Sequence, residues 1–285
     1  MADVVTIEAR ATRMRKDIVE MIAEAGSGHP GGSLSAADIV ATLYFGDVLR
    51  HDPANPQWPE RDRFILSKGH AAPVLYAALA EAGYFGRDHL HTLRKLGSML
   101  QGHPDSKKTP GVEVSTGSLG QGLSISAGLA AGLRGGEHPE PATDDRTVFC
   151  LMGDGEIQEG QVWEAAMFAA HEGLNNLVAI VDHNGLQIDG ACTEVMCLGT
   201  VSAKFAAFDW HTIEIDGHDV SALLAAFAQA KAYTEGPVVI VAHTIKGKGV
   251  SFMEGDAGWH GKAPTAAQVV DAHSQLDALT EGSRS

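Results

Sequence analysis

Residues 147–190 read TVFCLMGDGEIQEGQVWEAAMFAAHEGLNNLVAIVDHNGLQIDG. An apolar run ends in Gly153-Asp154-Gly155, a helical segment follows, and a second apolar run ends in Asp182-His183-Asn184-Gly185. Asp154 and Asn184 stand thirty positions apart. That is the spacing of one strand–helix–strand unit, which brings both side chains to the same edge of a parallel sheet. The glycines let the backbone approach a phosphate closely, and the next helix points its N-terminus at it. Asp154 offers a carboxylate, Asn184 an amide oxygen and Leu186 a backbone carbonyl. Diphosphate oxygens and a water would complete the octahedron that magnesium prefers. A lone Gly-Asp-Gly is more often a simple helix cap; the matched Asn184 and a second glycine loop elsewhere favour the metal–diphosphate reading.

Working outward, Ile7, Ala11, Met14, Ile18, Met21, Ile22 and Ala25 recur at three and four, an amphipathic helix ending near Gly26. GSGHPGGS reads as a loop, with Ser35 capping a helix over residues 36–49. FILSKGH (64–70) is a short strand or turn leading into the helix APVLYAALAEAG, and residues 101–122 are loop, rich in Gly, Pro and Ser. A small-residue helix follows Gly122, and the polar stretch 135–146 reads as an exposed connection. Later strands are HTIEID (211–216) and PVVIVAHT (237–244), separated by the helix VSALLAAFAQAKAY; from about Pro264 one helix runs into a polar tail. Strands alternating with helices predict an α/β fold, one domain over 1–285, with a mostly parallel sheet covered by helices on both faces.

Hydrophobic residues make up 44% of the 285, ample for a core, and the formal net charge is −15. That balance argues against nonspecific nucleic-acid binding and gives no basic surface for an anionic membrane. No apolar run approaches the ~20 residues of a membrane span, and the N-terminus has no apolar signal core. Cys150, Cys192 and Cys197 are odd in number and fit no metal spacing, so they read as reduced thiols of a cytoplasmic protein.

The GDG, about thirty residues, N pattern resembles the thiamine-diphosphate-binding motif. GSGHPGGSLS (26–35), LSKGHAAP (66–73), QGHP (101–104) and STGSLGQGLS (115–124) occur in the order found in transketolases and narrow the resemblance to that family over nearly the whole chain. The resemblance implies a thiamine-diphosphate-binding fold of the diphosphate (PP) type. It implies magnesium, or calcium or manganese in its place, on Asp154, Asn184 and the Leu186 carbonyl. Gly153, Gly155, His70 and the backbone at Gly117 would meet the diphosphate or the thiazolium neighbourhood, and Leu119 and Ile188 would pack on the cofactor rings. His29, His70 and His103 would cluster round the reacting carbon and the sugar hydroxyls. Imidazoles suit this work because they titrate near neutral pH and can donate or accept. His260 matches a late histidine near the cofactor, while a second histidine of the family pattern is replaced by Ala257. Lys246 or Lys248 in IKGKG reaches the diphosphate or lies on a solvated turn. Glu159 and Glu164 resemble acidic positions that join two cofactor sites across a dimer, in a buried role; Glu156 reads as a plain helix-start acid favoured by the macrodipole.

Full transketolases are more than twice this length and continue into pyrimidine-binding and C-terminal domains, which nothing after Gly261 resembles. The expectation is a split transketolase: this chain is the diphosphate-binding subunit, inactive alone. A second polypeptide supplies the rest in an α2β2 assembly that moves a two-carbon ketol unit from a ketose phosphate to an aldose. Two other readings compete. One is the alpha-type subunit of a 2-oxo-acid dehydrogenase, which shares GDG…N but has no use for the sugar-facing histidines. The other is a non-catalytic cofactor-binding paralogue, which the intact His29, His70, His103, Asp154 and Asn184 disfavour.

Overall fold

A computed structural model describes residues 3–135 and 146–282. The expected connection falls, at 136–145, outside the described residues, as does the end of the tail, 283–285.

Five parallel strands form the main sheet: β1 (Arg63–Leu66), β2 (Val148–Gly153), β3 (Leu177–His183), β6 (His211–Asp216) and β7 (Val238–His243), in the order β1-β2-β3-β7-β6. A small antiparallel hairpin, β4 (Leu186–Gln187) with β5 (Gly190–Ala191), hangs from the end of β3. The central strands are continuous apolar runs because helices cover both faces. Phe149, Leu151, Val178, Ile180, Val238 and Ile240 face one core with α1 (Val4–Ala25), α3 (Ala37–Phe45), α4 (Ala72–Ala82) and α9 (Val220–Ala232). Val148, Cys150, Ala179, Val181, Val239 and Val241 face a second core with α5 (Gln121–Leu133), α6 (Gly160–His171) and α8 (Val201–Ala206). Each buried Val, Ile or Leu contributes ~1.5–3 kcal/mol, so the sheet is anchored from both sides. α10 (Ala266–Gly282) packs on α1.

α1 ends as its periodicity predicts, with Gly26 in the left-handed region at φ 64°. Ser35 does not cap a helix. Pro30 starts a short helix, α2 (Pro30–Ser35), and Ser35 closes it, its hydroxyl donating instead to Asp182 Oδ2 at 2.6 Å. Proline at the first helical position is pre-set in φ and needs no N–H partner, which is why GSGHPGGS is only half a loop. The short elements at 186–206, α7 (Cys192–Val195) among them, escape the periodicity reading because two-residue strands and one-turn helices carry no period.

Parallel register aligns the strand ends that matter: Gly153 pairs with Asp182, and His183 with His243. The loops after β1, β2, β3 and β7 therefore open at one edge of the sheet, where ligands of open α/β sheets bind.

Candidate active site

Those loops line a cavity of about 150 Å³ bounded by Gly32, Lys68, His70, Leu119, Gly153, Asp154, Gly155, Asn184, Leu186, Ile188, Lys246 and His260. Asp154 is only 2% exposed. Its Oδ1 accepts from the Gly155 N–H at 2.8 Å and its Oδ2 from the Gly185 N–H at 2.5 Å. Asn184 Oδ1 accepts from the Leu186 N–H at 3.1 Å, an Asx turn that ties Asn184 and Leu186 into one rigid corner. Burial, and then the charge of Asp182, push the Asp154 carboxyl above its ordinary range. Asp182 is pulled the other way: burial is opposed by Lys68, which pairs with it and holds its pKa down. The buried Lys68 also donates to Gly32 O at 2.8 Å. Its charge is thus committed to Asp182, and among the described residues no cationic side chain pairs with Asp154.

Two observations test whether a metal-bound diphosphate fits here. Asp154, Asn184 and Leu186, which line the cavity together, offer oxygens (a carboxylate, an amide and a carbonyl), the set a hard divalent cation takes. Gln187 Nε2 and His29 Nδ1 are buried without a partner, groups that a bound oxygen-rich ligand would satisfy. Lys246, 2% exposed, donates to Leu186 O at 3.2 Å and to His260 Nδ1 at 3.1 Å. The second lone pair of that carbonyl is left for a cation. Burial, and then Lys68, lower Lys246 to about 8. The residues present fit the group.

Four imidazoles gather beside this corner. His29 lies 5.3 Å from His70, 6.5 Å from His103 and 5.4 Å from His260 between ring centroids, and His70 stacks on His260 at 5.0 Å. All four are shifted towards the uncharged form. Burial and then Arg94 bring His29 to about 4, and burial and then Lys246 bring His260 to about 4. Burial and then Lys68 take His70 well below its ordinary value, and His103 is lowered by burial and Arg94. Lys246 can only donate, so neutral His260 carries its proton on Nε2. Gly117 permits the cluster: its φ is 147°, and a Cβ there would stand 3.0 Å from the His103 ring. Leu119 and Ile188 edge the cavity, 37% and 67% exposed.

The family profile described as "Transketolase, thiamine diphosphate binding domain" matches residues 7–280. The chain belongs to the transketolase thiamine-diphosphate-binding family. Relatives in that family include the 6-deoxy-6-sulfo-D-fructose transketolase subunit SqwG of Clostridium sp. (strain MSTE9), 43% identical over 273 residues, covering 96% of this chain and 97% of the relative. One subunit of the apulose-4-phosphate transketolase of Phocaeicola vulgatus is 41% identical over 276 residues, covering 97% and 95%. The solved transketolase of Leishmania mexicana aligns with a TM-score of 0.86 at 31% identity, over 99% of this chain and 45% of that one. The chain thus spans less than half the length of that solved transketolase and nearly all of the two subunits.

Within this transketolase-family domain some expected residues stand elsewhere. Glu159 and Glu164 are exposed on this chain and lie outside the cavity; any burial of theirs must come from another chain. Lys248 turns away, towards Glu254 at 4.0 Å, so of the two lysines only Lys246 reaches the site. Glu156 is not a plain helix-start acid. It is buried, accepts from Ser67 Oγ and from the N–H groups of Gly120 and Gly153, both at 3.0 Å, and so stitches three loops together in the cavity wall. Burial is the main cause raising its pKa. Ala257 opens the short turn Ala257–Trp259 that carries His260. Reading the sequence missed Lys68, Asp182 and Arg94. Lys68 stands inside LSKGHAAP, but no local pattern links it to Asp182 across 114 residues.

Proposed function

We propose that this chain is the diphosphate-binding subunit of a two-chain transketolase that moves a two-carbon ketol unit from a ketose to an aldose acceptor. The observation that carries the reading is the set of four imidazoles, 5.0–6.5 Å apart where they meet, beside the oxygen corner of Asp154, Asn184 and Leu186. When bound, thiamine diphosphate supplies the carbon that carries the ketol unit and the ring that takes up its electrons. In this reading Asp154, Asn184 and the Leu186 carbonyl hold magnesium on the diphosphate, and Lys246, His70 and the backbone at Gly153, Gly155 and Gly117 approach its neighbourhood. Leu119 and Ile188 pack on the rings. His29, His70, His103 and His260, uncharged, accept and return protons at the sugar's hydroxyl and carbonyl oxygens. A 2-oxo-acid substrate has no hydroxyls to use four such groups, which disfavours that alternative.

Two features support a partner chain. The cavity of about 150 Å³ is smaller than the ~300–1,000 Å³ of small-molecule pockets, so other walls are needed. The two subunit relatives have nearly this chain's length. We infer that the pyrimidine and C-terminal domains sit on the partner, that the assembly is α2β2 and cytoplasmic, and that Glu159 and Glu164 meet another chain there. The substrate class is a ketose bearing an anionic group: the relatives are named for a sulfonated and a phosphorylated sugar, and Arg94 brings a cation to the imidazole cluster.

The test mixes the chain with the partner subunit, thiamine diphosphate and magnesium, and follows aldose-dependent consumption of ketose phosphates and sulfonates. Ketol transfer that Asp154→Asn lowers by at least about a hundredfold is expected. Oxo-acid decarboxylation without ketol transfer, or full activity in Asp154→Asn, overturns the reading.

A further inference from the structure

Lys246 reaches the cavity from an irregular loop after β7, and that loop is tied down by residues that do not line the cavity. On the side before Lys246, the Ile245 N–H donates to His218 Nε2 at 2.8 Å. On the side after it, Gly247 N–H donates to Gly31 O at 3.0 Å and Arg15 Nε donates to Lys248 O at 3.1 Å. The two anchors beyond the loop are one network. Arg15 donates to both Asp38 oxygens, Nη1 to Oδ1 at 2.9 Å and Nη2 to Oδ2 at 2.6 Å, and His218 Nδ1 meets Asp38 Oδ2 at 2.7 Å.

The chemistry of these bonds fixes the proton. A backbone N–H only donates, so His218 Nε2 is the acceptor and Nδ1 carries the hydrogen given to Asp38. The imidazole thus has both nitrogens committed, one to the loop and one to the carboxylate. Burial works against the charge of Asp38, but Arg15 and then His218 hold it ionised, down to about 2. Arg15 and Asp38 are buried, so this pair is shielded from the screening that makes surface pairs weak. Neither Gly247 nor Gly249 leaves the loop slack. Gly247 sits at φ 80°, where a Cβ would fall 2.3 Å from Met253 O, and a Cβ on Gly249 would fall 3.2 Å from Arg15 Cδ.

We propose that Arg15, Asp38 and His218 form a clamp that places Lys246, making His218 a positioning residue for the lysine at the diphosphate corner. The three come from α1, α3 and the turn after β6, and they hold the ends of a loop whose middle residue is the only lysine of that loop in the cavity. The proposal rests on the function read above only for what Lys246 binds.

Two substitutions split the two bonds of His218. In His218→Asn the side-chain amide can still donate to Asp38 but cannot reach Ile245; in His218→Gln the amide oxygen can accept from Ile245. Amide hydrogen exchange on the full chain needs no ligand. Expected is about tenfold faster exchange at Ile245 and Gly247 in His218→Asn, parent-like exchange in His218→Gln, and unchanged β3 amides in both. Unchanged exchange in His218→Asn, equal loss in both variants, or loss spread through β3 overturns the clamp. Calorimetry with magnesium pyrophosphate then reads Lys246 itself. His218→Asn weakens binding about tenfold in the parent and not further in a Lys246→Met chain; additive losses overturn the positioning role. A parent chain that binds no pyrophosphate counts against the diphosphate reading, and the exchange result still decides the clamp.

Discussion

Arg94 brings a full positive charge to the imidazole cluster. Its Nη1 donates to Ser27 Oγ at 3.3 Å, and among the described residues no carboxylate pairs with it. It helps to lower both His29 and His103. A guanidinium with donors to spare beside the histidines proposed to face the sugar suits an anionic substituent there. Arg94→Met is therefore expected to raise KM for an anionic ketose by about tenfold or more, a charge-assisted bond contributing ~1.5–3 kcal/mol, with a smaller change in kcat. Steady-state kinetics of the assembled enzyme on charged and uncharged ketoses check it; an equal rise for both would sink the anion role. The histidines were legible because each sits in a glycine-flanked motif. Arg94 was not: it lies at φ 60° in an irregular loop and acquires its place only when residues 27 and 102 fold against it. Glu156 misled for the same reason, since an acid beside a glycine turn looks the same whether it faces solvent or supports three loops.

Helix α1 shows what periodicity reveals and what it hides. Its apolar stripe predicted the helix and its end, but Asp17 and Arg15 are buried on it too. Arg15 is matched by Asp38; Asp17 is not well served. Its Oδ1 accepts from Arg87 Nη2 at 2.5 Å, and its Oδ2 is buried without a partner. Burial raises Asp17 to about 6 despite Arg87. The unfolded carboxyl ionises near 3.8, so as pH rises from about 4 to about 6 the unfolded state sheds this proton first and the folded state loses stability, with no further loss above 6. The lowered histidines work in the opposite direction over much of the same range, stability falling as pH drops from 6.5 towards 4, so only a difference between variant and parent isolates Asp17. Asp17→Asn should be more stable than the parent at pH 7 by about 1–2 kcal/mol, less than the full shift because solvent and Arg87 share the site. The gain should vanish by pH 4. Urea unfolding of both chains across this range measures it, and a gain independent of pH would show that the charge is not the cause.

The whole molecule presents its cavity at the edge of the sheet, lined by Asp154, Asn184 and Lys246. The sheet, both cores and the loops that hold Asp154 and Asn184 are internal to this chain, which is why a single strand–helix–strand reading located the corner. Apolar groups beside it are left in solvent: Ile188 is 67% exposed and Met196 58%, on and just after the hairpin that carries Leu186. Exposed side chains next to a small cavity contribute little to this chain's own stability, and covering them is where a second chain gains. If the partner supplies the missing walls, the affinity for thiamine diphosphate measured with the partner present should exceed that of the isolated chain by at least about a hundredfold, because ring burial adds to diphosphate contacts already in place. Ile188→Asp separates the contributions. Its side chain points away from either core, so the melting temperature of the isolated chain should not move, while cofactor affinity in the mixture should fall towards the isolated value. Equal affinity with and without the partner would mean that the corner of Asp154, Asn184 and Lys246 binds all that it needs from within this chain.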